Sequence, residues 1–301
     1  MLIIRYYPIL IKKRTAALRK ELYMYLIDYH THSDNSSDGK NKIYDMCVKA
    51  VDSGLNEIAV TDHFEPSLGN ENYPYYNADK YFEEVLSAEA VFAKDIKLKR
   101  GVELGQPHLY PEYSEKLIEV HQYDYVLASA HKMSDNKDFG EVIYDEHNKS
   151  YYCIRYLEEL KALVNWNKFD CVGHLDLIKR YTSLYKIKVH LIDYRDRLEE
   201  ILKKIIQNGK GIEVNTSGLR QHAKACLPAL DIVSLYRQLG GEIITVGSDA
   251  HTAADVGKGI KEGIEMIEQA GFDYITVYEN RQPSMIKISR KTGLLLMSGY
   301  R

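Results

Sequence analysis

Cysteine is sparse and scattered. The chain has four among its 301 residues, Cys47, Cys153, Cys171 and Cys226, and no two form a CxxC pair. That spacing argues against a thiolate zinc site and against a disulfide-dense secreted scaffold, so free thiols in a reducing, cytoplasmic compartment are expected. No apolar run reaches the roughly 20 residues that span a bilayer. Positive charge is not in excess either: 40 Lys and Arg against 43 Asp and Glu leave −3. With no net field to attract polyanions, neither nucleic acid nor a membrane is expected as a partner. Internal repeats, low-complexity stretches and linkers rich in Pro, Gly or Ser are also missing, which argues for a single domain. None of these features fixes an oligomeric state.

What is present is ample core material, 45% hydrophobic residues with 28% charged. The start, MLIIRYYPILIKKRTAALRK, is apolar, but Arg5 and Pro8 interrupt it and no small-residue cleavage site follows, so it is not read as a targeting segment. Met24 stands directly before the first strand-like run. Residues 1–23 are therefore expected to be either an extension, packed as a short helix outside the domain, or an upstream start, with the domain proper at 24–301.

Short apolar, β-branched runs alternate with longer amphipathic stretches, as in βα units around a parallel sheet. The runs are Tyr25–His30, Glu57–Thr61, Leu98–Glu103, Tyr125–Ala130, Cys171–His174, Gly211–Asn215 and Ile243–Gly247. Between them Ile43–Ser53, Tyr81–Ala93 and Leu191–Gln207 carry the i, i+3, i+4, i+7 stripe of a helix, with Gly54 and Gly209 as stops. Two segments, Glu65–Asn77 and Met133–Tyr151, read as long loops of the kind that carry function.

The chemistry-bearing residues collect where the apolar runs end, the place where a parallel barrel builds its site. The first run ends Asp28-Tyr29-His30-Thr31-His32-Ser33, with two histidines on one face. The next ends Thr61-Asp62-His63, the third Gly101-Val102-Glu103, the fourth Ser129-Ala130-His131, the fifth Gly173-His174 and the last Gly247-Ser248-Asp249-Ala250-His251. Singly, each is explained by a hydrogen-bonded histidine or a capping carboxylate. Together they favour a multinuclear metal centre, because clustered buried charge and imidazole is costly without a cation.

In this order DYHTHS, TDH, GVELG, SAHK, VGHLDL and GSDAH resemble the polymerase and histidinol phosphatase (PHP) superfamily, from about Asp28 to His251. VGHLDLIKRY followed by EVNTSGLR resembles its histidinol-phosphatase branch. The resemblance implies a distorted (β/α)7 TIM-like barrel with three divalent metals, zinc, manganese or iron, at its C-terminal mouth. Carried over motif by motif, it implies that His30, His32 and Asp249 hold one ion and that Glu103 bridges to a second held by His131 and His174. His63 and His251 hold the third, with Asp38 as the remaining first-motif ligand and Asp34 as its competitor. An Asp there makes the site more tolerant of manganese or iron.

Such a centre suits hydrolysis of a phosphate monoester by a bridging hydroxide, with Glu103, Asp249 and Arg180 as the catalytic set. Arg180 and Arg220 are the candidate phosphate-binding guanidiniums, with Lys132 and His222 as weaker candidates. The acid that protonates the leaving alkoxide is not fixed by the sequence; a metal-bound water or a nearby group such as Asp62 would serve. Tyr73, Tyr75, Tyr76, Tyr110 and Tyr113 lie in suspected mouth loops and suit an imidazole ring, and Glu65 or Asp135 suits an ammonium group. The activity implied is a phosphatase producing L-histidinol and phosphate in histidine biosynthesis. Phosphotyrosine or a nucleotide stays open as a substrate, since pocket loops set that choice. A non-catalytic metal-binding barrel is the third reading; no ligand position apart from the ambiguous Asp38 speaks for it.

Overall fold

A computed structural model describes residues 24–66 and 76–288. Residues 1–23, Tyr73 and Tyr75 therefore lie outside the described residues. The strands are β1 (Ile27–Thr31), β2 (Glu57–Val60), β3 (His63–Phe64), β4 (Lys97–Gly105), β5 (Tyr125–Ser129), β6 (Cys171–Val172), β7 (Gly211–Asn215), β8 (Ile244–Gly247), β9 (Tyr274–Glu279) and β10 (Gln282–Lys287). The helices are α1 (Ile43–Asp52), α2 (Ala78–Phe92), α3 (Pro111–Val120), α4 (Lys149–Trp166), α5 (Ile178–Leu184), α6 (Arg195–Gln207), α7 (Ser217–Arg220), α8 (Leu230–Gln238) and α9 (Ile260–Gln269).

Seven strands pair in parallel in the order β1-β2-β4-β5-β6-β7-β8, and β3 adds to β4. Two backbone bonds close the seam between β1 and the end of β8: Asp249 N–H donates to His30 O at 2.7 Å, and His32 N–H donates to Ala250 O at 2.8 Å. The result is the expected single-domain TIM-like barrel, with every strand of it running toward the same mouth. Both faces of the sheet are covered, so β5, β6 and β8 carry mainly apolar residues without alternation.

The helices follow from their stripes. In α1, Ile43, Met46, Cys47 and Ala50 are buried, and in α6, Leu198, Ile201, Leu202 and Ile205. Gly54 and Gly209 end them at φ +71° and +65°, a conformation glycine adopts without a Cβ penalty. Asn77 opens α2 by accepting the Lys80 N–H at 3.0 Å.

The antiparallel hairpin of β9 and β10 was not among the expected strands. It covers the barrel at the strands' N-terminal ends. Thr276 Oγ1 accepts the Ile244 N–H at 3.0 Å, Tyr278 N–H donates to Tyr29 Oη at 3.0 Å, and Arg281 pairs with Asp170 at 3.0 Å. Above it the rings of Tyr29, Tyr125 and Tyr278 pack with centroids 5.3 and 5.0 Å apart, filling the interior. The open mouth is at the opposite end. No helix among the described residues is long and apolar enough to cross a membrane.

Candidate metal centre

Glu103, fully buried on β4, is the hub of the mouth. Its Oε2 lies 3.2 Å from His30 Nε2 and 3.5 Å from His32 Nε2. Both histidines leave β1 on one face, as their spacing requires. Asp249 Oδ1, in the loop after β8, faces the same two nitrogens at 3.7 and 3.5 Å. The other oxygen of Glu103, Oε1, lies 3.0 Å from His174 Nε2 and 3.4 Å from His131 Nε2. Those two imidazoles are themselves 3.4 Å apart. A third group forms around Asp38 Oδ2, 3.0 Å from His251 Nε2 and 3.8 Å from His63 Nε2. The structure thus brings together all nine ligand positions expected from the sequence, and it brings Asp38 rather than Asp34 to them: Asp34 is exposed and its backbone bonds Asn41.

These donors fit metal ions. His32 Nε2 is buried and makes no hydrogen bond, although its ring is sandwiched between those of His63 and His251 at 4.1 and 4.3 Å. Three stacked imidazoles cannot all be cationic at once. Burial, reinforced by His63 and His251, holds His32 well below its ordinary value, and burial likewise lowers His174. Both are neutral donors of the kind a metal requires. Burial opposes ionisation of Glu103, yet His30, His63 and His131 hold it well below the usual carboxylate range. Asp249 is also buried, and Arg180 and His30 hold it below in the same way. Imidazole nitrogen with carboxylate oxygen is a donor set for zinc, manganese or iron.

Behind the donors lies a supporting shell that the sequence pattern did not single out. Glu213 on β7, 1% exposed, accepts from His30 Nδ1 at 2.7 Å and from the His174 N–H at 2.8 Å. It therefore aims the Nε2 face of His30 at Glu103. A charged residue in the middle of an apolar strand was the available signal. Asp28 accepts the Ser248 and Gly257 N–H groups at 2.7 and 2.8 Å, tying β1 to the loop that carries Asp249 and His251. A Cβ on Gly247 would collide with His30 Cβ and come within 2.5 Å of Glu213 Oε1. His174 and Asp249 both have positive φ, 24° and 53°, strain of a kind that concentrates at functional sites.

Arg180, on α5, lines the mouth and donates from Nη2 to Asp249 Oδ2 at 2.5 Å and to Ser217 Oγ at 2.8 Å. The other candidate anion binders are not brought in. Arg220 bonds Ser248 O at 2.7 Å and faces Asp255 at 3.7 Å, which staples α7 to the β8 loop; neither it, Lys132 nor His222 lines the cavity. Asp62 is also outside the lining, its oxygens accepting from Ser33 and Ser36 at 2.6 to 2.7 Å. Tyr76 is buried against Tyr123 at 2.6 Å, Tyr110 bonds Asn136, and neither they nor Tyr113 or Asp135 line the cavity. The cavity, about 200 Å³, is completed by Ser37, Glu65, Asp138 and Tyr181. Of these only Glu65 was anticipated, and its Oε1 bonds His131 Nδ1.

A barrel with this cluster at its mouth is the architecture of a metal-dependent hydrolase. The PHP domain profile matches residues 28–217, and the chain belongs to the PHP domain family. It is 30% identical over 256 residues to a probable histidinol-phosphatase from Thermotoga maritima, spanning 84% of this chain and 95% of that protein. It is 28% identical over 270 residues to histidinol-phosphatase from Lactococcus lactis subsp. lactis, spanning 88% and 98%. Among solved structures it resembles histidinol phosphate phosphatase from Lactococcus lactis subsp. lactis complexed with zinc, L-histidinol and phosphate. The TM-score is 0.74 at 26% identity, over 87% of this chain and 100% of that one.

Proposed function

We propose that this protein is a metal-dependent phosphomonoesterase that hydrolyses L-histidinol phosphate to L-histidinol and phosphate, a step of histidine biosynthesis in the cytoplasm. The observation that carries the reading is the convergence of six histidines with Glu103, Asp249 and Asp38 on one barrel mouth, beside an inward-facing arginine. His30, His32, Glu103 and Asp249 would hold one divalent cation, Glu103, His131 and His174 a second, and Asp38, His63 and His251 a third. Bound there, zinc, manganese or iron would activate water at neutral pH and neutralise charge on the phosphoryl oxygens.

The chain's own groups do the rest. Glu103 would offer Oε2, beside His30 and His32, and Oε1, beside His131 and His174, to two neighbouring cations. Arg180 donates to a phosphoryl oxygen when substrate is bound, and its bond to Ser217 holds the guanidinium at the rim. Glu213 keeps the proton of His30 on Nδ1, away from the donor face.

The test is phosphate release by the metal-loaded enzyme, comparing kcat/KM for L-histidinol phosphate, phosphotyrosine and a simple aryl phosphate. A preference for histidinol phosphate of about a hundredfold, worth ~2.7 kcal/mol of differential transition-state binding, is expected. A flat profile overturns the substrate and keeps the phosphoesterase.

A further inference from the structure

Two carboxylates line the cavity without belonging to the proposed cation ligands, Glu65 and Asp138, and they are not equivalent. Glu65 is committed: Oε1 bonds His131 Nδ1, and Oε2 lies 4.0 Å from Lys132 Nζ. Asp138 is only half used. Its Oδ1 accepts the Gly140 N–H at 2.6 Å, capping the short turn Phe139–Glu141. Among the described residues its Oδ2 accepts from no donor and the side chain forms no ion pair.

The position of Asp138 is nonetheless fixed. Its backbone bridges to Lys132, and the next residue, Phe139, is fully buried and donates its N–H to His131 O at 3.0 Å. Tyr181 closes the same wall: a Cβ on Gly140 would meet both Asp138 Oδ1 and Tyr181 Cε1 at 3.1 Å. Arg180, its neighbour on α5, is turned to Asp249 and Ser217. The lining arginine is therefore taken up by Asp249 and Ser217, and the wall carries, beside the Tyr181 ring, a half-buried carboxylate with no ion pair among the described residues.

Burial pushes the Asp138 carboxyl up from its ordinary value, outweighing the Gly140 N–H and the attraction of His131 and Lys132, neither of which pairs with it directly among the described residues. In a cavity that binds a phosphate dianion such a group is unfavourable unless the substrate brings a positive charge to it. We propose that Asp138 is a specificity-determining residue that accepts the cationic group of the leaving alcohol, so the site prefers phosphate monoesters of amino alcohols. The same carboxylate penalises neutral and anionic leaving groups, which is discrimination by repulsion as well as by attraction. This inference rests on the phosphomonoesterase reading above.

The experiment measures kcat/KM of the metal-loaded enzyme for 3-aminopropyl phosphate and n-propyl phosphate, which differ by one ammonium group, and for L-histidinol phosphate. Wild type and Asp138→Asn are compared; Asn keeps the oxygen that caps Gly140. Wild type is expected to favour the amino ester at least tenfold. Asp138→Asn is expected to lose at least tenfold more on the amino ester and on histidinol phosphate than on propyl phosphate, chiefly through KM. Parallel loss on all three esters, as from a structural defect, overturns the assignment, and so does an unchanged ratio or a wild type indifferent to the ammonium group. A wild type that favours the amino ester but fails on histidinol phosphate leaves the role of Asp138 standing and removes the histidinol reading instead.

Discussion

Replacing Glu213 by Gln changes one oxygen to an amide nitrogen and leaves the volume alone, yet the structure predicts a large effect. Three donors converge on this carboxylate: His30 Nδ1 at 2.7 Å, the His174 N–H at 2.8 Å and Asn215 Nδ2 at 3.2 Å. A carboxylate accepts at both ends, whereas an amide accepts at one only. If the new NH2 faces His30, the ring must move its proton to Nε2 and surrender the donor face. If it faces His174, two N–H groups oppose each other at hydrogen-bond distance in a fully buried site. Either way one cation subsite is misassembled. Loss of such a supporting partner weakens metal affinity by about 10 to 100-fold, or ~1.4 to 2.7 kcal/mol. The assay is competition for zinc or manganese against a chromophoric chelator, with circular dichroism to establish that the apoprotein is folded. Unaltered metal affinity in the Glu213→Gln variant would refute the idea that this carboxylate sets the tautomer of His30.

Gly247→Ala is expected to abolish metal-dependent turnover, because the new Cβ falls on His30 Cβ, an atom that cannot swing away; overpacking of this kind costs about 1 to 3 kcal/mol, and normal turnover would contradict it. Arg180→Ala should lower kcat/KM by about 1 to 3 kcal/mol, and an equal kcat/KM would return Arg180 to a purely structural role. Asp124 is buried, which opposes its ionisation, but Arg100 at 2.9 Å and the N–H groups of Asn280 and Arg100 hold its carboxyl below the ordinary value. Its folded value is thus lower than its unfolded one, so its contribution is complete above about pH 4 and disappears as pH falls through the folded value. Urea titrations of wild type and Asp124→Asn should accordingly converge toward acid, and a constant gap would exclude the linkage. Burial pushes Cys47 and Cys171 up to about 12 and Cys153 and Cys226 up to about 11; a chromogenic disulfide should react with none of them rapidly in the native protein, and one fast thiol would disprove their burial.

Much of the architecture was legible because local pattern and tertiary demand coincide here. Apolar runs ending in ligand-type residues are what a parallel barrel needs at its mouth, so His30, His131 and Asp249 could be located before any contact was known. Other features are written in contacts remote in sequence. Arg220 follows a strand end as Arg180 follows a ligand, and only its bond to Ser248 O, 28 residues on, distinguishes a staple from an anion binder. Asp138 sits in a polar loop where neither the helical nor the strand period applies, next to Asp135, which shares its chemistry and does not reach the cavity. The β9–β10 hairpin was obscured for another reason. Its second strand is almost wholly exposed, leaving no alternation to read.

Asp28 and Gly257 are joined by a hydrogen bond across 229 residues of sequence. Ribosomes add about 5 to 20 residues per second, so that span takes on the order of 10 to 50 s to synthesise. For all but the last few residues of that interval His30 and His32 belong to an unfinished barrel whose closing strand, Ile244–Gly247, is not yet complete. The first cation subsite therefore cannot be completed on the nascent chain until Asp249 has emerged, and any truncation upstream of that residue leaves loose imidazoles instead of a metal site.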